Sequence, residues 1–224
     1  MLAAQNSPGQ SQEALATLCR AYWFPLYAFL RRQGKTPHDA EDLTQAFLLH
    51  LLEKETLSRV HREKGKFRSF LLASLQYFLA DQHDKETAQK RGGGITFIPL
   101  ENENVEERYS AEPVDSVDPA KVFERRWATT LLDRTLDRLE TEFAGPGRKE
   151  RFEGLKVFLL GEPKTISYAE AGKLLGIREG AVKVAVLRLR QRFGELLRLE
   201  IASTVTSEEE VEEEMRHLFS VLCA

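Results

Sequence analysis

The run SYAEAGKLLGIREGAVKVAVLRLRQRF, residues 167–193, decides how the chain folds. Ser167 followed three positions later by Glu170 is a capping box, in which each side chain satisfies a backbone N–H that a new helix leaves unpaired. Gly176 with Ile177 then makes a tight turn, and a second helix is expected from about Glu179. Placed at about 100° per residue, Val182, Ala185, Val186, Leu189, Phe193 and Leu196 share one face of that helix. Gly180, Lys183, Val184, Leu187, Arg188 and Gln191 are left outward. Two helices joined this closely have helix-turn-helix proportions, in which the second helix enters the major groove of DNA. From Arg178 to Arg198 there are six bases and two acids, a local balance of +4. The same pattern also fits an amphipathic helix with a solvated basic face.

Upstream, helical spacing recurs from Leu15 through Leu18, Tyr22, Leu26, Phe29 and Leu30, with Pro25 as the one expected kink. Gly34 and Pro37 break the pattern. A new segment from Asp39 carries Leu43, Phe47 and Leu51 inward, and Asp39, Glu41 and Asp42 in its first turn complement the helix dipole. A third runs from about Phe67 to Gln89, and three such helices can close a bundle. Gly92, Gly93 and Gly94 end that unit. Residues 101–118 then hold seven acids and one base, a balance of −6, and Pro113 and Pro119 are expected to discourage regular structure, while Ile95 to Leu100 could form a short extended piece. Spacing resumes at Val122, Phe123, Trp127, Leu131, Leu136 and Leu139, and again at Phe152, Leu155, Phe158 and Leu159. The expected fold class is all-α, with domains at 1–94 and 121–205, an acidic linker at 95–120 and an acidic C-terminal extension at 206–224. The apolar residues Met215, Leu218, Phe219 and Leu222 of that extension are expected to pack on the second domain as a capping helix, or else to hold the protein inactive.

The formal net charge of −3 over 224 residues, with 30% charged and 9% aromatic residues, excludes a uniformly basic nucleic-acid coat and a disordered polyanion. Positive charge is local instead. Residues 59–91 carry eight bases and four acids, again +4, interleaved with Phe67, Phe70, Tyr77 and Phe78, as surfaces for flipped or single-stranded bases are. Phe67, Phe70 and Phe78 read better as core, leaving Gln76 and Tyr77 as the ambiguous pair. The carboxylates at 39–42 near His38 and His50 lack the further ligands a metal needs, and no phosphate loop, nucleophile elbow or paired-carboxylate site is present. No metal, cofactor or catalytic residue is expected, and the chain is not read as an enzyme. Cys19 and Cys223 fit neither a disulfide framework nor a zinc motif, and neither a signal peptide nor a membrane span is apparent. A cytoplasmic protein without membrane insertion is expected.

Two groups of residues carry a resemblance. Tyr22, Trp23, Phe24, Pro25, Leu26, Tyr27, then Asp39, Ala40, Glu41, Asp42, Leu43, Thr44, Gln45, then Phe67 to Leu71, resemble region 2 of bacterial extracytoplasmic-function (ECF) sigma factors. Ser167 to Glu170, Leu175 to Ile177 and Glu179 to Lys183 resemble region 4 of the same family. The resemblance implies a transcription initiation factor that binds core RNA polymerase and directs it to promoter DNA. It implies that Asp42, Gln45 and Leu48 dock on the polymerase, and that residues from Gln76 to Arg91, with Tyr77, Lys85 and Lys90 among them, meet the melting downstream promoter element. Arg178, Lys183, Val184, Arg188 and Gln191 would read the upstream element as duplex, and the acidic linker would thread the channel that later carries RNA. An anti-sigma factor or another regulatory protein is a further candidate partner, which the sequence does not name.

The departures are Ala46 where the family often has glutamate, Gln76 and Tyr77 in place of an arginine and asparagine pair, and Arg178 where an N-cap serine is usual. The long linker and the extension from Glu208 to Leu222 resemble planctomycete-type members. The alternatives are a helix-turn-helix regulator that binds duplex operator DNA without polymerase, and a helical adaptor that binds only protein.

Overall fold

Apolar residues three and four positions apart are buried together on one face of a helix, and the series that the structure describes are helical, except that Phe158 and Leu159 lie in the turn after a helix ending at Lys156. The structure, a computed structural model, describes residues 8–53, 67–88, 106, 109, 118–145, 147–159, 166–205 and 207–223. The helices run as α1 (Pro8–Arg32), α2 (Pro37–Glu53), α3 (Phe67–Ala88), α4 (Pro119–Glu142), α5 (Arg148–Lys156), α6 (Tyr168–Leu175), α7 (Glu179–Ala202) and α8 (Glu208–Cys223). No strand occurs among the described residues, and the fold class is all-α. The Ile95 to Leu100 segment lies outside them. α1 runs through Pro25 as one helix.

Two compact units form, Met1–Thr130 with Thr204–Ala224, and Leu131–Ser203. The core of the first holds Tyr22, Leu26, Tyr27, Phe29 and Leu30 of α1, Phe47 and Leu51 of α2, and Phe67, Leu71, Leu75 and Phe78 of α3. Thr36 caps α2, its Oγ1 accepting from the Asp39 N–H at 3.1 Å. The first half of α4 adds Val122, Phe123 and Trp127, and α8 adds Val211, Met215 and Leu218.

This partition departs from the sequence expectation in two ways. Pro119 opens a helix instead of ending a linker, as suits a first-turn proline, and the unit boundary falls within α4. The acidic extension does not cap the second unit: α8 packs in the first, where Glu214 meets Arg68 and His217 meets Glu124. A guanidinium with 4% exposure must have anionic partners, a requirement that apolar spacing does not reveal.

The second unit is built on α7, which buries Val182, Val186, Leu189, Phe193, Leu196, Leu197 and Ile201. Each such side chain contributes about 1.5–3 kcal/mol of transfer free energy. The join between α6 and α7 depends on two glycines. Gly176 adopts φ +65°, a left-handed conformation that costs glycine nothing. The Ile177 N–H reaches the Gly172 carbonyl at 2.9 Å, closing a Schellman turn. A Cβ on Gly172 would lie 2.7 Å from the Ile177 carbonyl oxygen, which is backbone and cannot swing aside. Gly172→Ala is therefore expected to destabilise the second unit by about 1–3 kcal/mol, measured by urea unfolding followed by circular dichroism. An unchanged midpoint would contradict this account of the turn.

Candidate nucleic-acid and partner surfaces

In the second unit the capping box forms as the sequence requires. Ser167 Oγ accepts from the Glu170 N–H at 3.2 Å, and the Ser167 N–H donates to Glu170 Oε2 at 2.8 Å. That backbone hydrogen bond, followed by one from the Ser167 hydroxyl, holds the Glu170 carboxyl below the usual carboxylate range. Tyr168 beside the cap stacks on Phe158, ring centroids 4.6 Å apart, which fixes the start of α6 to the end of α5.

On α7 the division into faces is as expected. Val182, Val186, Leu189, Phe193 and Leu196 are buried, Ala185 is intermediate, and Arg178, Lys183, Val184, Leu187, Arg188 and Gln191 are exposed. Arg178 is the N-cap but makes no side-chain cap hydrogen bond. Lys183 pairs with Glu179 at 2.7 Å, and its ammonium lies 5.7 Å from the Tyr168 ring centroid. Exposed Val184 and Leu187 beside Arg188 and Gln191 make a mixed apolar and polar strip, the composition that meets thymine methyls and base edges in a major groove.

The +4 count overstates this face. Arg190 donates from Nη2 and Nε to the Phe158 carbonyl at 2.7 and 3.0 Å. Arg192 is held between Glu142 at 2.7 Å and Glu195 at 2.7 Å. These two arginines tie α7 to its own unit. Charge counting does not separate them from Arg188, which has no ion-pair partner among the described residues. Leu174 on α6, 78% exposed, escaped the sequence reading because it sits one residue outside the apolar stripe.

In the first unit, α2 presents Asp42, half-exposed and 3.0 Å from His38, with Gln45 intermediate. Leu48 is only 8% exposed and belongs to the core, whereas Leu49 is 47% exposed. At 100° steps Asp42, Gln45 and Leu49 share a face and Leu48 turns away from it. The apolar member of this surface is therefore Leu49, four residues beyond Gln45.

α3 brings Gln76 and Tyr77 out together, Tyr77 at 79% exposure, while Phe67 and Phe78 are buried and Phe70 is intermediate. Lys85 lies in the last turn of α3, and its side chain, with Lys90 and Arg91, falls outside the described residues. Arg68, counted with the basic stretch, is an internal residue. Its guanidinium meets Glu124 and Glu214 and lies 4.8 Å from the Trp127 ring centroid. Among the described residues no group of three or more His, Cys, Asp or Glu side chains could hold a metal ion. No helix there is long and apolar enough to cross a membrane.

Glu106 and Tyr109, inside the stretch read as an acidic linker, are both helical and fasten onto α1. Glu106 accepts from Arg31 Nη2 at 2.6 Å, from Arg31 Nε at 3.0 Å and from the Tyr27 hydroxyl. The Arg31 guanidinium lies 5.0 Å from the Tyr109 ring centroid. The spacing of three between Glu106 and Tyr109 was the available signal, hidden among neighbouring glutamates.

Against known proteins, the chain is 25% identical over 190 residues to the ECF RNA polymerase sigma factor SigE of Mycolicibacterium smegmatis. The alignment covers 85% of this chain and 64% of that protein, so the chain spans a little under two thirds of its relative. No family model matches. No solved structure matches.

The hydrogen bond from Arg31, outweighing the opposing effect of burial, holds the Glu106 carboxyl below its ordinary value. A group with a depressed folded pKa stabilises fully above its ordinary value and loses that contribution as pH falls through the folded one. An NMR titration should place the Glu106 midpoint below the usual carboxylate range, and Arg31→Ala should return it there. An ordinary midpoint in the native chain would show that the clasp on α1 does not form in solution.

Proposed function

We propose that the chain is an ECF-type sigma factor, of the planctomycete-type kind, which binds core RNA polymerase and directs promoter-specific transcription initiation. It works in the cytoplasm without catalytic activity or cofactor. The observation that carries this reading is a sequence likeness to an RNA polymerase sigma factor over 85% of the chain, in a protein whose two units each present an exposed polar face.

The first unit contributes two surfaces. Asp42, Gln45 and Leu49 on α2 dock on the polymerase by polar pairing around an apolar contact. Gln76 and Tyr77 on α3, followed by Lys85, Lys90 and Arg91, meet the downstream element as it melts. Tyr77 offers an exposed ring on which an unpaired base stacks, and the basic residues meet the backbone. The second unit places α7 as the recognition helix of a helix-turn-helix in the upstream duplex. Arg188 and Gln191 reach base edges, Val184 meets a methyl, and Arg178 and Lys183 meet phosphate. Lys183 exchanges its Glu179 partner for that phosphate, a small cost because the pair is solvent-exposed.

The division of labour is testable with the full chain. Asp42→Arg reverses the charge on an exposed site and should lower affinity for core polymerase by about tenfold or more, measured by co-purification and fluorescence anisotropy, with helicity unchanged. Arg188→Ala should leave polymerase binding intact and weaken promoter binding by the holoenzyme by about 1–3 kcal/mol, roughly five- to 160-fold. If native chain binds duplex DNA tightly alone and never joins the polymerase, it is an operator-binding regulator and the sigma reading fails.

A further inference from the structure

Three contacts give α8 an unusual seat. Glu214, 3% exposed, accepts from Arg68 Nε and Nη2 at 3.3 Å each. On the other side of the same guanidinium stands Glu124 of α4, which is itself 2.9 Å from His217 Nε2. Trp127 closes the cluster, its ring centroid 6.0 Å from that of His217. Around this charged centre α8 buries only Val211, Met215 and Leu218, against seven apolar side chains for α7.

A helix of 16 residues is marginal by itself in water. The burial of a charge pair fixes its position more than it stabilises it, because desolvation offsets most of the attraction. α8 is thus accurately seated and thinly held. Lifting it would open the Glu214 side of Arg68, which keeps Glu124 on its other side, and uncover Trp127, leaving a cation beside an indole, the chemistry that binds nucleic-acid phosphates and stacks on bases. Arg68 lies on α3 two turns before Gln76, about 80° around the helix from it and on the side opposite Tyr77. The helix that covers it carries six glutamates against Arg216.

We propose that α8 is a detachable cover on the first unit, which competes with nucleic acid for Arg68 and so restrains DNA binding by α3. The choice of DNA as the partner of α3 rests on the function proposed above.

The test uses the full chain with Glu214→Gln and Met215→Glu, both on α8 and outside the surfaces assigned to polymerase or promoter. Hydrogen exchange of amides 208–223 should accelerate at least about tenfold in both variants while α1 to α3 keep their protection. Both should bind a labelled single-stranded oligonucleotide of mixed sequence about threefold tighter or more at low salt. Met215→Glu adds a negative charge, so tighter binding there cannot come from net charge.

Unchanged affinity overturns the proposal. So does tighter binding by Glu214→Gln with weaker binding by Met215→Glu, since net charge then explains both. Faster exchange spreading through α1 to α3 makes α8 an integral part of the core and also overturns it. No polymerase is present in this experiment, so its failure is distinguishable from failure of the sigma-factor reading, which the polymerase-binding measurement decides.

Discussion

A guanidinium withdrawn from water must find an acceptor, and the arrangement of this protein follows how its arginines meet that demand. Arg68 is the extreme case. At 4% exposure it draws Glu124 from α4 and Glu214 from α8 onto α3, joining segments nearly 150 positions apart in sequence. Arg31 holds Glu106 in a partly buried pair, whereas Arg190 on the Phe158 carbonyl and Arg192 on Glu142 are surface arginines whose contacts fasten their own unit with little net energy. The apolar core supplies most of the stability, while these pairs specify which segment lies where.

The pairing also occupies part of the charge that the near-neutral total conceals. The two acidic stretches, around residue 106 and from residue 208, each deliver a carboxylate to an arginine of the first unit. Acid and base that cancel in the composition are in these cases bonded in the fold. The cations left for an external partner are fewer than the count, and they stand at defined positions, notably Arg178 and Arg188 at the outward side of α7.

What could be read from sequence depended on how local the governing physics was. The helices, the faces of α7, the capping box at Ser167 and the glycine turn at Gly176 follow from contacts within a few residues, and the structure agrees with each. Burial of Phe67 and Phe78 was likewise legible from helical spacing, whereas Phe70, expected in the core, is only half-buried and Tyr77, ambiguous by spacing, is exposed. The destination of α8 was not, because it is set by a charge buried on α3 far upstream. Leu48 was assigned outward from the resemblance, and one helical step of 100° separates it from the surface that Leu49 occupies. For Arg190 and Arg192 no local pattern marks an arginine as structural, since their acceptors lie 32 and 50 positions away.

Two units with separate exposed faces are what the proposed function requires, contact with one partner protein and two stretches of one DNA. The acids folded back on the first unit suit one that should not bind DNA tightly before that partner is present. The most direct test is to add the purified chain to core RNA polymerase with fragmented genomic DNA and map the 5′ ends of the transcripts. The account predicts a polymerase complex that starts transcription at a defined set of sites sharing two sequence elements at fixed spacing, absent without the chain. Transcripts that begin at the same sites with and without it, or no association with the polymerase, would contradict it.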